Sequence, residues 1–192
     1  ETETGVTTFF LTHGMDTGKI IRQKRLPIAD TDDVGTVYDA LMHLGAGLVL
    51  ETVDLILSGE VDAVEQSAYG VPGRELRPAP KIFKETCRID WRQPLKPIYD
   101  FIRGLSPYPA AWTELVQPDG TRLSLKIYQT EKRPAEHALP VGIVCTDAKS
   151  YLDIAVEGGY LRLLSIQLAG KKRMPVADFL NGFKHIEGCR VE

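Results

Sequence analysis

The sequence predicts an α/β unit, made of a β-hairpin and a long helix, followed by a small OB-like β-barrel domain. Two β-rich runs flank a tight Asp-Thr-Gly turn near the N-terminus, and an apolar pattern of helical spacing comes next. Five short strand-like runs then crowd into about 60 residues, which is typical of a small barrel. A chain of 192 residues that is 43% hydrophobic can bury the cores of two such domains.

The hairpin is predicted from residues 5–11 and 19–28, which are rich in β-branched and aromatic side chains. Between these runs, residues 12–19 read Thr-His-Gly-Met-Asp-Thr-Gly-Lys. Asp16 is therefore a carboxylate on a turn at the end of a strand, a place where catalytic groups often lie. A turn of this kind also forms for structural reasons alone, because Asp bonds its own backbone and Gly allows positive φ.

The long helix is predicted over Val34–Ser58. Its apolar residues recur at helical spacing, as at Val37, Leu41, Leu44 and Leu48. The run Ala-Asp-Thr-Asp-Asp at residues 29–33 supplies candidate N-caps, and this position at a helix entry favours capping over metal binding. Gly59 is a natural C-cap.

Residues 60–82 are predicted to be a linker, because they lack periodicity and contain Tyr-Gly, Pro-Gly and further prolines. This boundary divides the chain into residues 1–59, the end of an α/β domain, and residues 83–192, the barrel domain. In the barrel domain a helix is predicted over residues 94–104 and another over residues 176–183. The five strands are predicted at Ala111–Val116, 123–129, 141–146, Leu152–Val156 and 161–168.

Charge is distributed unevenly along the chain, whose net charge is −3. Residues 1–82 carry 7 Lys and Arg against 13 Asp and Glu, whereas residues 83–192 carry 16 against 13. An acidic first part joined to a mildly basic second part indicates that the second part meets a polyanion. The excess of +3 is too small to establish this by itself.

The remaining composition is that of an ordinary soluble protein of a reducing cytosol. Cys87, Cys145 and Cys189 are far apart, lack zinc spacing and are expected to be free thiols. No CxxC or Cys/His spacing suggests a metal site, and we predict none. No run of 18 or more apolar residues occurs, so we predict no membrane-spanning segment. The chain begins Glu-Thr-Glu-Thr without Met or a leader, so we expect it to be an excised piece of a longer chain.

Several stretches together carry a resemblance to a known family. They are Glu-Thr-Gly-Val-Thr at residues 3–7, Asp-Thr-Gly at 16–18, Arg-Ile-Asp-Trp at 88–91, Arg-Gly-Leu-Ser-Pro-Tyr-Pro-Ala-Ala-Trp at 103–112 and Gln-Leu-Ala-Gly-Lys-Lys-Arg-Met at 167–174. In this order the chain resembles the C-terminal two-thirds of the methionyl-tRNA formyltransferases. The resemblance covers essentially all of the chain, and motif matches of this kind are hypotheses.

The resemblance implies transfer of a formyl group from 10-formyltetrahydrofolate to the amino group of methionine on initiator tRNA. It implies a Rossmann-like catalytic domain, of which residues 1–59 are the remnant, with an Asn, a His and an Asp at the active site. Asp16 matches the Asp, whereas the Asn and the His belong to a segment before residue 1, and His13 does not replace them. We therefore predict that this fragment alone is catalytically incompetent, because one carboxylate lacks the partner it would orient.

The barrel is the expected tRNA-binding module, since OB-like barrels bind nucleic acid through one face and its loops. The resemblance favours Lys171, Lys172, Arg173 and Arg103 as phosphate contacts, with Lys126, Lys132 and Arg133 as weaker candidates. A Lys-Lys-Arg run can equally be a solvated loop. Trp91, Trp112, Tyr108 and Phe101 are expected to pack in the core or a domain interface rather than to stack on bases.

Two other functions remain open at this point. One is an RNA-binding barrel without chemistry of its own. The other is a folate-dependent transferase or hydrolase acting on a small molecule, because formyltetrahydrofolate dehydrogenases and aminoarabinose formyltransferases share the Asp-bearing turn and the Ile-Asp/Asn-Trp start of the second domain. We expect a cytoplasmic protein that is monomeric at full length, whereas the fragment, with an exposed strand edge and apolar face, is expected to self-associate.

Overall fold

The computed structural model describes residues 1–14, 16–69, 78–183 and 185–192, which form two compact units, Glu1–Pro80 and Lys81–Glu192. The first unit contains β1 (Glu3–Phe9), β2 (Ile20–Pro27), α1 (Val34–Ser58) and a 3-10 helix at Gln66–Tyr69. The second contains a 3-10 helix at Glu85–Cys87, α2 (Leu95–Leu105), β3 (Ala111–Val116), β4 (Arg122–Pro134), β5 (Val144–Thr146), β6 (Leu152–Val156), β7 (Gly159–Leu168), β8 (Met174–Pro175), α3 (Val176–Gly182) and β9 (Arg190–Val191).

The first unit is an antiparallel hairpin with one helix packed on it. β1 pairs with β2, and α1 contacts both strands. The helix begins where Asp33 accepts a hydrogen bond from the Thr36 amide at 2.8 Å, and it ends at Gly59, whose φ of 73° lies in the left-handed region that glycine favours. The predicted helix and its caps are therefore present as the sequence indicated.

One flank of α1 is apolar and exposed. The side facing the hairpin contains the buried Leu48 and Thr52. A second stripe, beside it on the helix, consists of Tyr38, Met42, Val49, Val53 and Ile56, all exposed. A continuous apolar flank of this kind is the surface through which a helix packs on a second partner.

By length and composition α1 is apolar enough to cross a membrane, with a mean hydropathy of 1.6 over 18 residues, although no uninterrupted apolar run of that length predicted such a helix. The core helix of a soluble protein passes the same test, and α1 packs on β1 and β2.

Part of the predicted linker belongs to the first unit. Val64 exchanges two backbone hydrogen bonds with Ile20, at 2.8 and 2.9 Å, and so extends the edge of β2. The 3-10 helix Gln66–Tyr69 follows directly. Residues 60–69 are thus structured although they lack periodicity, because a single bridge and one turn of helix leave no repeating pattern. Residues 70–77 of that linker lie outside the described residues.

The second unit is a nearly closed antiparallel barrel. Its strands run in the order β5, β6, β7, β4, β3 and β9, and β8 adds to β7. Backbone hydrogen bonds join the two ends, since the Val144 amide donates to Cys189 and the Val191 amide donates to Gly142. The two-residue strands β8 and β9 were not predicted, because such short strands carry no alternation. β4 extends five residues beyond the predicted end at Gln129, and β5 begins three residues after the predicted start at Val141.

The barrel interior is filled by aliphatic side chains from every long strand. Among the most completely buried are Leu115, Leu125, Ile127, Ile154, Leu161, Leu163 and Ile166. The α2 helix covers β4 with Ile98 and Ile102, both buried. The N-cap residue of α2, Pro94, makes no side-chain capping hydrogen bond. The helix is therefore stabilised mainly by packing its apolar face on the barrel.

The four aromatic residues that were predicted to pack in the core or a domain interface differ in their burial. Trp91 is buried and donates its ring N–H to Thr113 Oγ1 at 2.8 Å, and Phe101 packs against the core. Trp112 is half-buried. Tyr108, however, is 84% exposed, so of the two predicted environments, a core or a domain interface, the barrel core does not hold it. It lies between Pro107 and Pro109 in the segment that joins α2 to β3.

Candidate functional site

Asp16 lies in the turn between β1 and β2 and is exposed to solvent. Its backbone φ is 55°, a left-handed conformation that Asp tolerates better than most residues. Hydroxyl groups hold the turn on one side, because Thr17 Oγ1 lies 2.7 Å from Thr12 Oγ1 and donates to the Gly14 carbonyl at 3.2 Å. The Asp16 carboxylate itself makes no hydrogen bond or ion pair to the described residues, so it is available to a partner.

The other side of the turn is held by a residue that the sequence did not single out. Gln66 Nε2 donates to the Asp16 carbonyl at 2.7 Å and to the Gly18 carbonyl at 2.8 Å. Gly18 is buried, and a Cβ there would lie 1.5 Å from the Phe10 carbonyl oxygen. The backbone that carries Asp16 is therefore fixed by close packing at Gly18 and by hydrogen bonds from the Gln66 side chain, while Asp16 itself stays exposed.

The basic loop, residues 169–173, follows β7 on the outside of the barrel. Gln167 Nε2 donates to the Lys171 carbonyl at 2.8 Å, and Gln167 Oε1 accepts from the Tyr128 hydroxyl at 2.6 Å. Lys171 and Lys172 are exposed. Two lysines are thus presented to solvent from a loop whose backbone is tied to the sheet, which suits a contact to phosphates.

Arg173 and Arg103 are both engaged within the protein. The Arg173 guanidinium donates to Ser165 Oγ at 2.8 Å and lies 4.4 Å from the centre of the Tyr128 ring. Arg103 donates to Asp100 at 2.8 Å from the last turn of α2. Burial of Asp100 opposes its ionisation, but hydrogen bonds from Lys96 and Arg103 outweigh burial and lower the pKa of Asp100.

Arg103 does not belong to the same surface as the basic loop. It lies 5.9 Å from the centre of the Tyr99 ring, and Lys132 Nζ lies 4.5 Å from that ring. Lys132 is opposite Leu161 on β7, six positions before Gln167, so roughly 20 Å of strand separates the two basic regions. The predicted set of phosphate contacts therefore divides into two groups.

A groove of about 520 Å³ lies beside the basic loop, and we call it the barrel groove. Its floor and rim include Phe83, Lys84, Tyr108, Trp112, Lys126 and Gln167, and it reaches Gly170 in the loop. Trp112, Lys126 and Gln167 are direct neighbours across β3, β4 and β7. This surface joins Lys126, a weaker candidate from the sequence, to the loop that carries Lys171 and Lys172.

The described part of the chain contains no cluster of three or more His, Cys, Asp or Glu side chains placed to hold a metal ion. Its cysteines are free thiols, of which Cys87 and Cys189 are buried. Burial raises the pKa of the Cys189 thiol, so its thiolate is disfavoured. The chemistry that the described residues offer is thus one exposed carboxylate in the first unit and a basic, aromatic surface in the second.

Two family models match these two regions. The model described as "Formyl transferase, C-terminal domain" matches residues 81–184, which is more than half of the chain. This chain belongs to the formyl transferase family. The model described as "Formyl transferase" matches residues 1–53, so the unit that carries Asp16 corresponds to part of the family's other domain.

Relatives of this formyl transferase chain are very similar in sequence. Methionyl-tRNA formyltransferase of Parabacteroides distasonis is 71% identical over 97% of the chain. Methionyl-tRNA formyltransferase of Phocaeicola vulgatus is 61% identical over the whole chain. The chain spans 57% and 59% of the lengths of these two relatives.

The formyl transferase fold recurs in solved structures. HypX of Aquifex aeolicus, solved in complex with tetrahydrofolic acid, matches 98% of the chain with a TM-score of 0.64 and covers 31% of its own length. The two sequences are 18% identical, so this match concerns the fold alone. Both units of the formyl transferase chain therefore have a counterpart of known structure.

Proposed function

We propose that this chain carries the end of the catalytic domain and the tRNA-binding barrel of a methionyl-tRNA formyltransferase. Such an enzyme moves the formyl group of 10-formyltetrahydrofolate to the amino group of methionyl initiator tRNA, for translation initiation in the cytoplasm. The observation that carries the proposal is the identity of 71% and 61% to relatives bearing this name. The first unit is then the remnant of a Rossmann-like domain, and the second is its OB-like partner.

In this proposal Asp16 acts through a basic group on the substrate or elsewhere in the protein. Attack of an amine on a formyl group requires a neutral amine, a stabilised oxyanion and a protonated leaving nitrogen. A carboxylate orients a neighbouring imidazole or ammonium and favours its charged form. The exposed carboxylate on a fixed backbone suits this role, because only the side chain needs to move to meet its partner.

The turn does not bind the formyl donor by itself. Asp16, Thr12 and Thr17 are all exposed, so the described residues of the turn do not enclose a pterin ring. We assign donor binding to the part of the relatives that this chain does not span. The 192-residue chain alone is therefore expected to give no formyl transfer, although it carries Asp16.

The barrel supplies binding to the RNA. Lys171 and Lys172 are exposed on a loop that Gln167 holds against the sheet, and Lys126 lies nearby on β4. Lysines placed in this way contact phosphates and make binding sensitive to salt. An aminated small molecule would need few of these charges, which favours tRNA over the small-molecule alternative.

The proposal can be tested in a chimera. This chain would replace the matching 57% of the Parabacteroides distasonis relative, so that the host supplies the remainder of the protein. We expect formyl transfer from 10-formyltetrahydrofolate to methionyl initiator tRNA, and a loss of about a thousandfold or more in kcat for Asp16→Asn.

Glu65→Gln is the matched control in the chimera, because Glu65 is an exposed carboxylate in the same unit and forms a surface ion pair with Lys19. It should leave the rate unchanged. A chimera that formylates an amino sugar but not methionyl-tRNA would refute the proposal, and an active Asp16→Asn chimera would remove Asp16 from the mechanism.

A further inference from the structure

The barrel groove combines exposed rings with cations in one place. Tyr108 is 84% exposed and Phe83 is 53% exposed, so both rings at the rim reach solvent, and the Lys81 ammonium lies 5.5 Å from the centre of the Phe83 ring. Trp112 on β3 lines the same groove and donates its ring N–H to the Lys84 carbonyl at 2.8 Å. That hydrogen bond restrains the indole, because it ties the ring to the backbone of Lys84, which also lines the groove.

The charges of the groove have one sign. Lys84 and Lys126 line it, the Lys84 ammonium lies 5.9 Å from the centre of the Trp112 ring, and Lys126 Nζ is 3.4 Å from the Pro109 carbonyl. None of the described residues that line the groove is acidic. A carboxylate does approach from outside, since Glu114 pairs with Arg88, whose guanidinium lies 5.4 Å from the Trp112 ring.

Open aromatic faces beside lysines are the surface by which proteins hold single-stranded nucleic acid. A base stacks on the ring, because every base has a π-face, and the adjoining phosphate pairs with the cation. A groove of about 520 Å³ falls within the range of small-ligand sites and can hold one nucleotide. A purely apolar partner would leave the lysines without anions, so charge complementarity favours a nucleotide.

We propose that the barrel groove holds an unpaired nucleotide of the bound RNA, with its base on Tyr108 and Phe83 and its phosphate on Lys126. This inference rests on the proposed function, and it assigns to the barrel a contact with a single-stranded part of the tRNA. Lys171 and Lys172, which follow the groove residue Gly170 in the basic loop, then contact the phosphates that follow. The barrel thereby distinguishes unpaired RNA from a duplex, which lysines on a loop alone would not do.

The test uses the 192-residue chain and an adenine oligoribonucleotide of about six residues, a length within the usual site size. Binding should quench the emission of Trp112, and Trp112→Phe should abolish that signal because Trp91 is buried. Tyr108→Ala should weaken the affinity roughly tenfold, whereas Tyr108→Phe should stay within about twofold. Phe83→Ala is the second truncation at the rim and should also weaken binding.

Inorganic polyphosphate provides the matched probe without bases. Tyr108→Ala should leave the affinity for polyphosphate unchanged. Lys126→Gln should weaken the binding of both polyphosphate and the oligoribonucleotide and lower the salt dependence of binding. Lys149→Gln, an exposed lysine on the loop between β5 and β6, is the control for charge. Circular dichroism should be unchanged in each variant, since Tyr108 and Phe83 are exposed.

The outcomes separate this inference from the proposed function. If the chain binds initiator tRNA but Tyr108→Ala and Phe83→Ala both bind the oligoribonucleotide like the parent, the nucleotide site is refuted and the proposed function stands. If the chain binds neither initiator tRNA nor the oligoribonucleotide at low salt, both are refuted. A duplex of equal phosphate number that binds as tightly as the single strand would also overturn the nucleotide site.

Discussion

Gln66 donates its side-chain amide to the carbonyl oxygen of Asp16 at 2.7 Å, across 50 positions of sequence. The same nitrogen reaches the Gly18 carbonyl at 2.8 Å. The bridge between Val64 and Ile20 places Gln66 beside the turn, because it attaches the segment after α1 to the edge of β2. The position of the candidate catalytic carboxylate is thus determined by a segment whose composition is that of a linker.

Gln66→Ala should loosen the Asp16 turn without unfolding the first unit. Two carbonyls would lose their donor, at a cost of about 1 kcal/mol because water replaces it in part. Hydrogen exchange should show faster exchange of the Val64 and Phe10 amides, which bond to Ile20 and Lys19. Ser67→Ala, an exposed neighbour, should not alter these rates. Equal protection in both variants would mean that Gln66 does not hold the turn.

Gly18→Ala should destabilise the first unit by about 1–3 kcal/mol, because a backbone oxygen stands where the methyl group would lie. Gly47→Ala is the matched control, since nothing lies within 4 Å of its added Cβ and it is in α1. There the change should stabilise the helix by up to about 1 kcal/mol. Urea unfolding followed by far-UV circular dichroism measures the change in the free energy of unfolding for each variant. Changes of the same sign in both variants would contradict the packing described.

Asp90, in the Arg-Ile-Asp-Trp stretch, holds the turn that follows it by binding Arg92. Its carboxylate accepts hydrogen bonds from the Arg92 side chain and backbone, which lower its pKa from 3.8 to about 2. Because the folded-state pKa is lowered, the interaction is fully present above pH 3.8 and is lost as the pH falls through about 2. A carboxyl titration by NMR should give this midpoint and shift it upward in Arg92→Ala. Arg133→Ala should leave the midpoint unchanged, and a wild-type midpoint near 3.8 would contradict the contact.

The second stripe of α1 should make the isolated chain self-associate. Its exposed apolar side chains, including Met42 and Val53, offer a surface for a second copy. Sedimentation velocity should show a mass that rises with concentration, and Met42→Glu with Val53→Glu should reduce it. His43→Glu, at an exposed position of the same helix outside this stripe, is the control. A monomer at all concentrations would show that this stripe does not drive association in the isolated chain.

Sequence reasoning located the elements whose side chains repeat. The apolar spacing of α1 and the alternation in β3 and β7 predicted those elements almost to the residue, because burial imposes a period on each. It missed β8 and β9, which are too short to show a period.

The candidate site was predicted less completely, for two reasons. Basic residues were grouped by charge, yet Arg103 lies with Lys132 near Tyr99 and away from the loop that holds Lys171. Tyr108 was expected to pack in the core or a domain interface because aromatic residues carry much of a small core, whereas in the barrel it is exposed. Positions in space such as the contact of Gln66 with Asp16 depend on the tertiary fold, and no local pattern encodes them.

The most direct test of the proposed function is a titration of the chain with initiator tRNA at several salt concentrations. We expect binding that weakens steeply with salt, and a slope of log K against log salt that falls by about 1 to 2 when Lys171→Gln and Lys172→Gln are combined. Lys149→Gln should leave the slope unchanged. Absence of binding at low salt, or a slope that the double variant does not change, would contradict the assignment of tRNA binding to the barrel and its basic loop.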